Sequence, residues 1–145
     1  MIELQNICFE YGSEEQNIAG RGALHNINLH IPDGQIVLLC GESGCGKTTI
    51  TRLLNGLIPH FYEGNLTGTI CIDWKEIYDL PLFVTSLQSG TVFQNPRSQF
   101  FNVDTTSELA FGLENRGMEE TQILKKVDKT VQELKLEKLM NRSIF

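Results

Sequence analysis

Residues 41–48 read GESGCGKT, a full match to the pattern GxxxxGK[ST]. They lie between a five-residue apolar run, IVLLC at 36–40, and a segment, KTTITRLLNGL, in which Ile50, Leu53, Leu54 and Leu57 recur at helical spacing. The apolar run is short, continuous and preceded by the turn IPDGQ, a pattern that predicts a strand buried on both faces of a helix-flanked sheet. The expected order is therefore strand, glycine loop, helix. Gly44 and Gly46 carry no Cβ, so the backbone can close round an anion with its N–H groups pointing inward, and the helix that follows adds the positive end of its dipole. Lys47 supplies a full charge for β- and γ-phosphate oxygens, Thr48 a hydroxyl for Mg²⁺, and Thr49 a hydroxyl for an α-phosphate oxygen. Gly41, Glu42, Ser43 and Cys45 complete the cradle through their backbone, a redox role for Cys45 being the weaker account. A ligand-free glycine turn is the bland alternative, and the flanking strand and helix count against it.

The chain has 145 residues, 41% of them hydrophobic, enough for one domain that buries roughly 70% of its unfolded surface. Its formal charge of −6 leaves no global basic field for nucleic acid or an anionic membrane. Cys8, Cys40, Cys45 and Cys71 form neither a CxxC pair nor a dense framework, and are read as reduced cytosolic thiols. No basic-then-apolar leader opens the chain and no apolar stretch approaches about 18 residues, so it is expected to be neither secreted nor membrane-spanning. His25, His30 and His60 share no metal-ligand spacing.

Along the rest of the chain, residues 2–9 form a partly alternating strand, and Ile27, Leu29 and Ile31 alternate with polar residues in a second. A glycine-rich polar loop, GSEEQNIAGRG, separates them. Residues 64–74 predict a further antiparallel strand with Ile70, Ile72 and Trp74 on one face, ending in a turn at Lys75 and Glu76; residues 91–93 predict a very short one. Thr105 with Glu108 has the form of a capping box opening a helix through Leu109, Ala110 and Leu113. A longer helix follows from Glu119, with Ile123, Val127, Val131 and Leu134 as its stripe.

With FEYG ahead of the strands, LHNINLHIPDGQIVLLCGESGCGKTT at the loop, and VFQNP after the antiparallel excursion, the chain resembles the nucleotide-binding domain of ABC transporters. The wording of NGLIPHFYEGNLTG and VFQNPRSQFFNVDTTSELAFGLEN is most similar to the ATPases of energy-coupling factor transporters, which take up vitamins or metal cations. The resemblance covers nearly the whole chain and implies an α/β P-loop NTPase fold: an antiparallel β part and P-loop core over residues 1–94, and most of a helical subdomain over 95–145. It implies ATP and Mg²⁺ as ligands. Tyr11 matches the aromatic that stacks on adenine, against the alternative of an aromatic that merely ends a strand. Gln94 matches the glutamine that approaches Mg²⁺ or the attacking water, whereas a lone loop glutamine would mean nothing. Gln99, Phe100 and Phe101 are candidates for the rim that meets a membrane partner, with core packing of the two phenylalanines an equal alternative.

The resemblance further implies a second ATP-binding cassette, identical or not, and transmembrane transporter subunits as partners, no nucleic acid, and a place in the cytoplasm on the inner face of the cell membrane. The family's LSGGQ-type signature, its Mg²⁺-binding aspartate and catalytic glutamate, and its switch histidine have no counterpart in this sequence. Hydrolysis by the chain alone is therefore expected to be negligible, binding and turnover come apart, and apolar faces around IVLLC are expected to be exposed, with marginal stability and self-association. The competing expectations are a non-catalytic nucleotide-binding or interaction fragment, and a soluble ABC ATPase, which the acidic balance disfavours.

Overall fold

The computed structural model describes residues 1–12 and 23–145, so all but the first residue of the polar loop GSEEQNIAGRG lies outside the described residues. Two units divide the chain, Met1–Thr91 and Val92–Phe145.

The first unit is built on four antiparallel strands, β1 (Ile2–Tyr11), β2 (Leu24–Ile31), β3 (Gly64–Ile72) and β4 (Lys75–Glu76), in the order β2-β1-β3-β4. β1 is paired on both sides: Leu4 faces Leu29 of β2 and Ile70 of β3. Its register then slips against both neighbours, with Asn6 at φ 51° and the Asn6 N–H donated to Asn28 Oδ1 at 2.8 Å in place of a ladder bond. The slip moves the inward-facing set from even to odd positions, so that Leu4, Ile7 and Phe9 are all buried and the sequence alternates only in part. Gly68 lies against the slip at φ 94°, where a Cβ would stand 2.4 Å from Gln5 O. Only glycine fits there.

Helix α1 (Lys47–Leu54) and two single turns, α2 (Leu57–His60) and α3 (Leu82–Thr85), complete the unit. Leu53 of α1 and Ile58 of α2 join Leu4, Ile7, Phe9 and Ile70 in one core, with Ile50 and Leu54 packed against it.

Several expectations need correcting here. Residues 36–40 are not a strand: no described segment pairs with them, and Ile36 and Leu38 are 102% and 83% exposed. A strand exists by its ladder, and an apolar run without one is bare chain. Residues 91–93 likewise form no strand, with Val92 exposed. The turn after β3 falls at Asp73 and Trp74, both at positive φ, and not at Lys75 and Glu76, which turn back to pair with Ile72 and Cys71. Trp74 therefore leaves the face that Ile70 and Ile72 bury and stands 80% exposed at the hairpin tip.

The second unit holds helices α4 (Thr105–Glu114) and α5 (Glu120–Leu134). Ile123, Val127 and Val131, four residues apart on α5, pack against Leu109, Ala110 and Leu113 of α4. Leu134 is exposed and leaves the expected stripe, because the helix ends there in the left-handed Lys135. The α4 cap is one residue earlier than the capping box predicts: Asp104 Oδ1 accepts the Ser107 N–H at 3.0 Å, and Thr105 Oγ1 donates to Leu139 O at 2.6 Å. Glu108 reaches back past the cap, one carboxylate oxygen accepting the N–H groups of Phe101 and Asn102 at 3.0 and 2.8 Å.

Candidate functional site

The glycine segment runs into the N-terminus of α1. Gly41, Gly44 and Gly46 all have positive φ, and Gly46 at φ 97° is the residue from which the helix starts, its carbonyl accepting the Ile50 N–H at 3.0 Å. No side chain caps α1 and no acidic residue stands in its first turn, which keeps the positive end of its dipole uncompensated. The loop is tight: a Cβ on Gly41 would stand 2.7 Å from Cys45 Sγ.

Lys47, the first residue of α1, folds its ammonium back over this loop. Nζ donates to Gly41 O at 2.9 Å and to Glu42 O at 2.6 Å, with Cys45 Sγ at 3.5 Å. Glu42, Ser43, Gly44 and Cys45 are exposed, as is Thr48. These groups form a shallow cradle of backbone amides with one full positive charge at its mouth, the donor set an oxyanion requires.

Thr49, two residues after Lys47, reaches the end of β1. It is 2% exposed, and its Oγ1 lies 3.1 Å from the hydroxyl of Tyr11, the last residue of β1. Arg52 Nη1 donates to the same Tyr11 oxygen at 3.0 Å, and the Arg52 guanidinium carbon sits 3.7 Å from the centroid of the Tyr62 ring. Phe9 and Tyr62 meet the Tyr11 ring edge-on, with centroids 4.8 and 6.4 Å away. The structure thus joins Tyr11 to the glycine loop's helix through side chains that sequence reasoning missed, Arg52 and Tyr62. A signal for Arg52 was available: it lies three residues after Thr49, on the same helix face.

Gln94 belongs to the second unit, where it is exposed in the loop after Phe93. That loop is held by Gln99, whose Oε1 accepts the Phe93 N–H at 2.7 Å, and by a turn of 3₁₀ helix at Pro96–Gln99. Phe101 is 78% exposed and stacks on Phe111 at 5.0 Å, so it is a surface residue and not core. Among the described residues no three His, Cys, Asp or Glu side chains gather as a metal cluster, and no helix is long and apolar enough to cross a membrane. All four cysteines are free, and burial, then the carboxylates of Glu76 and Glu3, push the Cys71 thiol above its ordinary range.

A glycine cradle with its lysine at the head of a helix, beside an antiparallel sheet, defines a P-loop NTPase. The family described as ABC transporter matches residues 24–144, and the chain belongs to that family. A protein of Treponema denticola named as an ABC transporter ATP-binding protein is 52% identical over all of this chain and 29% of its own length. One of Methanosarcina mazei with the same description is 37% identical over the whole chain and 24% of its length, and one of Pyrococcus abyssi 35% identical over 88% of the chain and 44% of its length. The chain thus spans less than a third of the first two relatives and less than half of the third.

Proposed function

We propose that this chain carries the nucleotide grip of an ABC ATPase of the energy-coupling factor type. The backbone amides of Gly41 to Gly46 take phosphate oxygens, and Lys47 exchanges the carbonyls of Gly41 and Glu42 for β- and γ-phosphate oxygens. Thr49 serves the α-phosphate, and Tyr11 offers its ring to adenine. Thr48 would hold Mg²⁺, which when bound neutralises charge on the β- and γ-phosphates. In the whole protein two cassettes close on ATP, and hydrolysis drives substrate uptake through transmembrane subunits from the cytoplasmic face of the membrane.

The observation that carries the grip is the Lys47 ammonium turned over its own loop at an uncapped helix N-terminus. Membership of the ABC transporter family supports ATP as the ligand, and the wording of residues 55–68 and 92–115 supports the energy-coupling factor type. A chain that binds without turning over is the second reading, and the bare apolar segment 36–40 that leads into the loop favours it.

Calorimetry with MgATP tests the grip. Weak binding by the wild-type chain and none by Lys47→Ala is the expected result; equal affinity in both would sink the assignment. Phosphate release indistinguishable from background by the chain alone would support binding without turnover.

A further inference from the structure

Tyr11 is the last residue of β1, paired with Gly64 of β3, but a paired backbone leaves its ring free to turn about two side-chain torsions. A base platform that swings must be ordered at each binding event, at a cost in side-chain entropy. Here two hydrogen bonds to its hydroxyl fix it. Arg52 has only donors, so the Tyr11 oxygen must accept from Nη1 at 3.0 Å. The same oxygen lies 3.1 Å from Thr49 Oγ1, so the Tyr11 hydroxyl joins Arg52 to Thr49 in one chain of bonds. Arg52 is itself held, because its guanidinium lies 3.7 Å from the Tyr62 ring centroid, close enough for a cation–π stack that a compact ammonium would not reproduce.

The two ends of this chain belong to different parts of the nucleotide. Tyr11 is the base platform and Thr49 the α-phosphate residue of the site proposed above. We infer that Arg52 is a positioning residue that locks the base platform to the phosphate loop, so that stacking on Tyr11 and phosphate binding at the head of α1 reinforce each other. The inference rests on that site being a nucleotide grip with Tyr11 under the base. It adds a residue that touches no part of the nucleotide and a coupling that a stacking ring by itself would not have. A ring that only stacks would work equally well as phenylalanine; a ring tied through its hydroxyl would not.

The test compares MgATP with magnesium tripolyphosphate, which offers the phosphates and no base, by calorimetry on the 145-residue chain. Wild type is expected to bind ATP more tightly than tripolyphosphate. Arg52→Met should narrow that ratio about fivefold, the worth of one hydrogen bond, with tripolyphosphate affinity little changed. Arg52→Lys should restore it only in part. Tyr11→Phe should narrow it to the same extent, and the Tyr11→Phe, Arg52→Met double variant no further, because both remove one linked device. Tyr11→Phe removes a single oxygen, and covers the case in which Arg52→Met does not fold. An unchanged ratio in a folded Arg52→Met or Tyr11→Phe variant would overturn the inference and leave the grip standing, and so would additive losses in the double variant. Lys47→Ala without effect on either ligand would remove the grip itself, and equal binding of both ligands by wild type would remove the base platform and the inference with it.

Discussion

β1 and residues 36–40 are both apolar runs that suit an extended chain, yet one is the most buried part of the first unit and the other the barest. Ile7 and Phe9 of β1 are fully buried, whereas Ile36 is 102% exposed. Hydrophobicity does not separate them; IVLLC is the more apolar of the two. The difference lies in partners. β1 is hydrogen-bonded to β2 and to β3, and α1 and α2 supply Leu53 and Ile58 to the core it shares. Residues 36–40 have no ladder among the described residues. A run of β-prone residues is a strand only when another segment satisfies its backbone, and burial follows from that pairing.

The largest expected effect breaks the paired side. Phe9→Ala removes a fully buried ring that also meets Tyr11 edge-on, and should cost about 3–5 kcal/mol, most of the stability of a unit this size. Denaturant unfolding measures it; a loss under about 1 kcal/mol would mean that the sheet core does not hold the unit together. Gly68→Ala comes next. Its Cβ would strike the backbone oxygens of Gln5 and Asn6, at 2.4 and 2.6 Å, at a φ that disfavours any other residue. Backbone cannot step aside as a side chain can, so about 2–4 kcal/mol is expected by the same measurement, and a near-neutral result would show that the register slip is absent in solution.

What could be read from the sequence depended on how far away the partner was. The glycine loop, the helix after it and the buried stripe of α5 were legible because their signals are local: Ile123, Val127 and Val131 repeat within one helix. The β1 slip was legible only as an imperfect alternation, because the residues that accommodate it, Asn28 and Gly68, lie far along the chain. Lys47 at the head of α1 was legible from its motif. Arg52 was marked only by sharing a helix face with Thr49, and its partners were not legible, since nothing local says that a tyrosine 41 residues away accepts its N–H or that Tyr62 lies against its guanidinium. The α4 cap was nearly legible, one residue off, because Asp104 and Thr105 both suit the position and only the geometry chooses. That choice is testable through acid. Hydrogen bonds from the Ser107 backbone and side chain hold the Asp104 carboxyl below its ordinary range. A depressed folded-state pKa contributes stability that is present above the unfolded value, near 3.8, and is lost as the pH falls through the folded one. The helical unit of the wild type should therefore lose more of its melting temperature on acidification than Asp104→Asn, which keeps an acceptor and has no proton to gain. Parallel profiles would return the cap to Thr105.

The smallest expected effect sits on the unpaired side, and its smallness is the point. If residues 36–40 are bare chain, then replacing Ile36 and Leu38 by threonine removes nothing that folding buries, and the melting midpoint should move by no more than about 0.5 kcal/mol equivalent. A paired central strand would answer very differently, since each buried side chain replaced by a polar one costs several times that. Association is where the change should appear. Two large apolar side chains on an extended segment with open backbone groups offer a template for a second copy, and the threonines keep the β propensity while removing the apolar contact. Sedimentation at increasing concentration should therefore show the wild type growing in mass and the double variant staying monomeric. An intact midpoint with unchanged self-association would place the contact elsewhere, on a surface such as that of Trp74 or Phe101. A midpoint that falls by kilocalories would mean that IVLLC finds a ladder in solution, and that the contrast with β1 is one of degree.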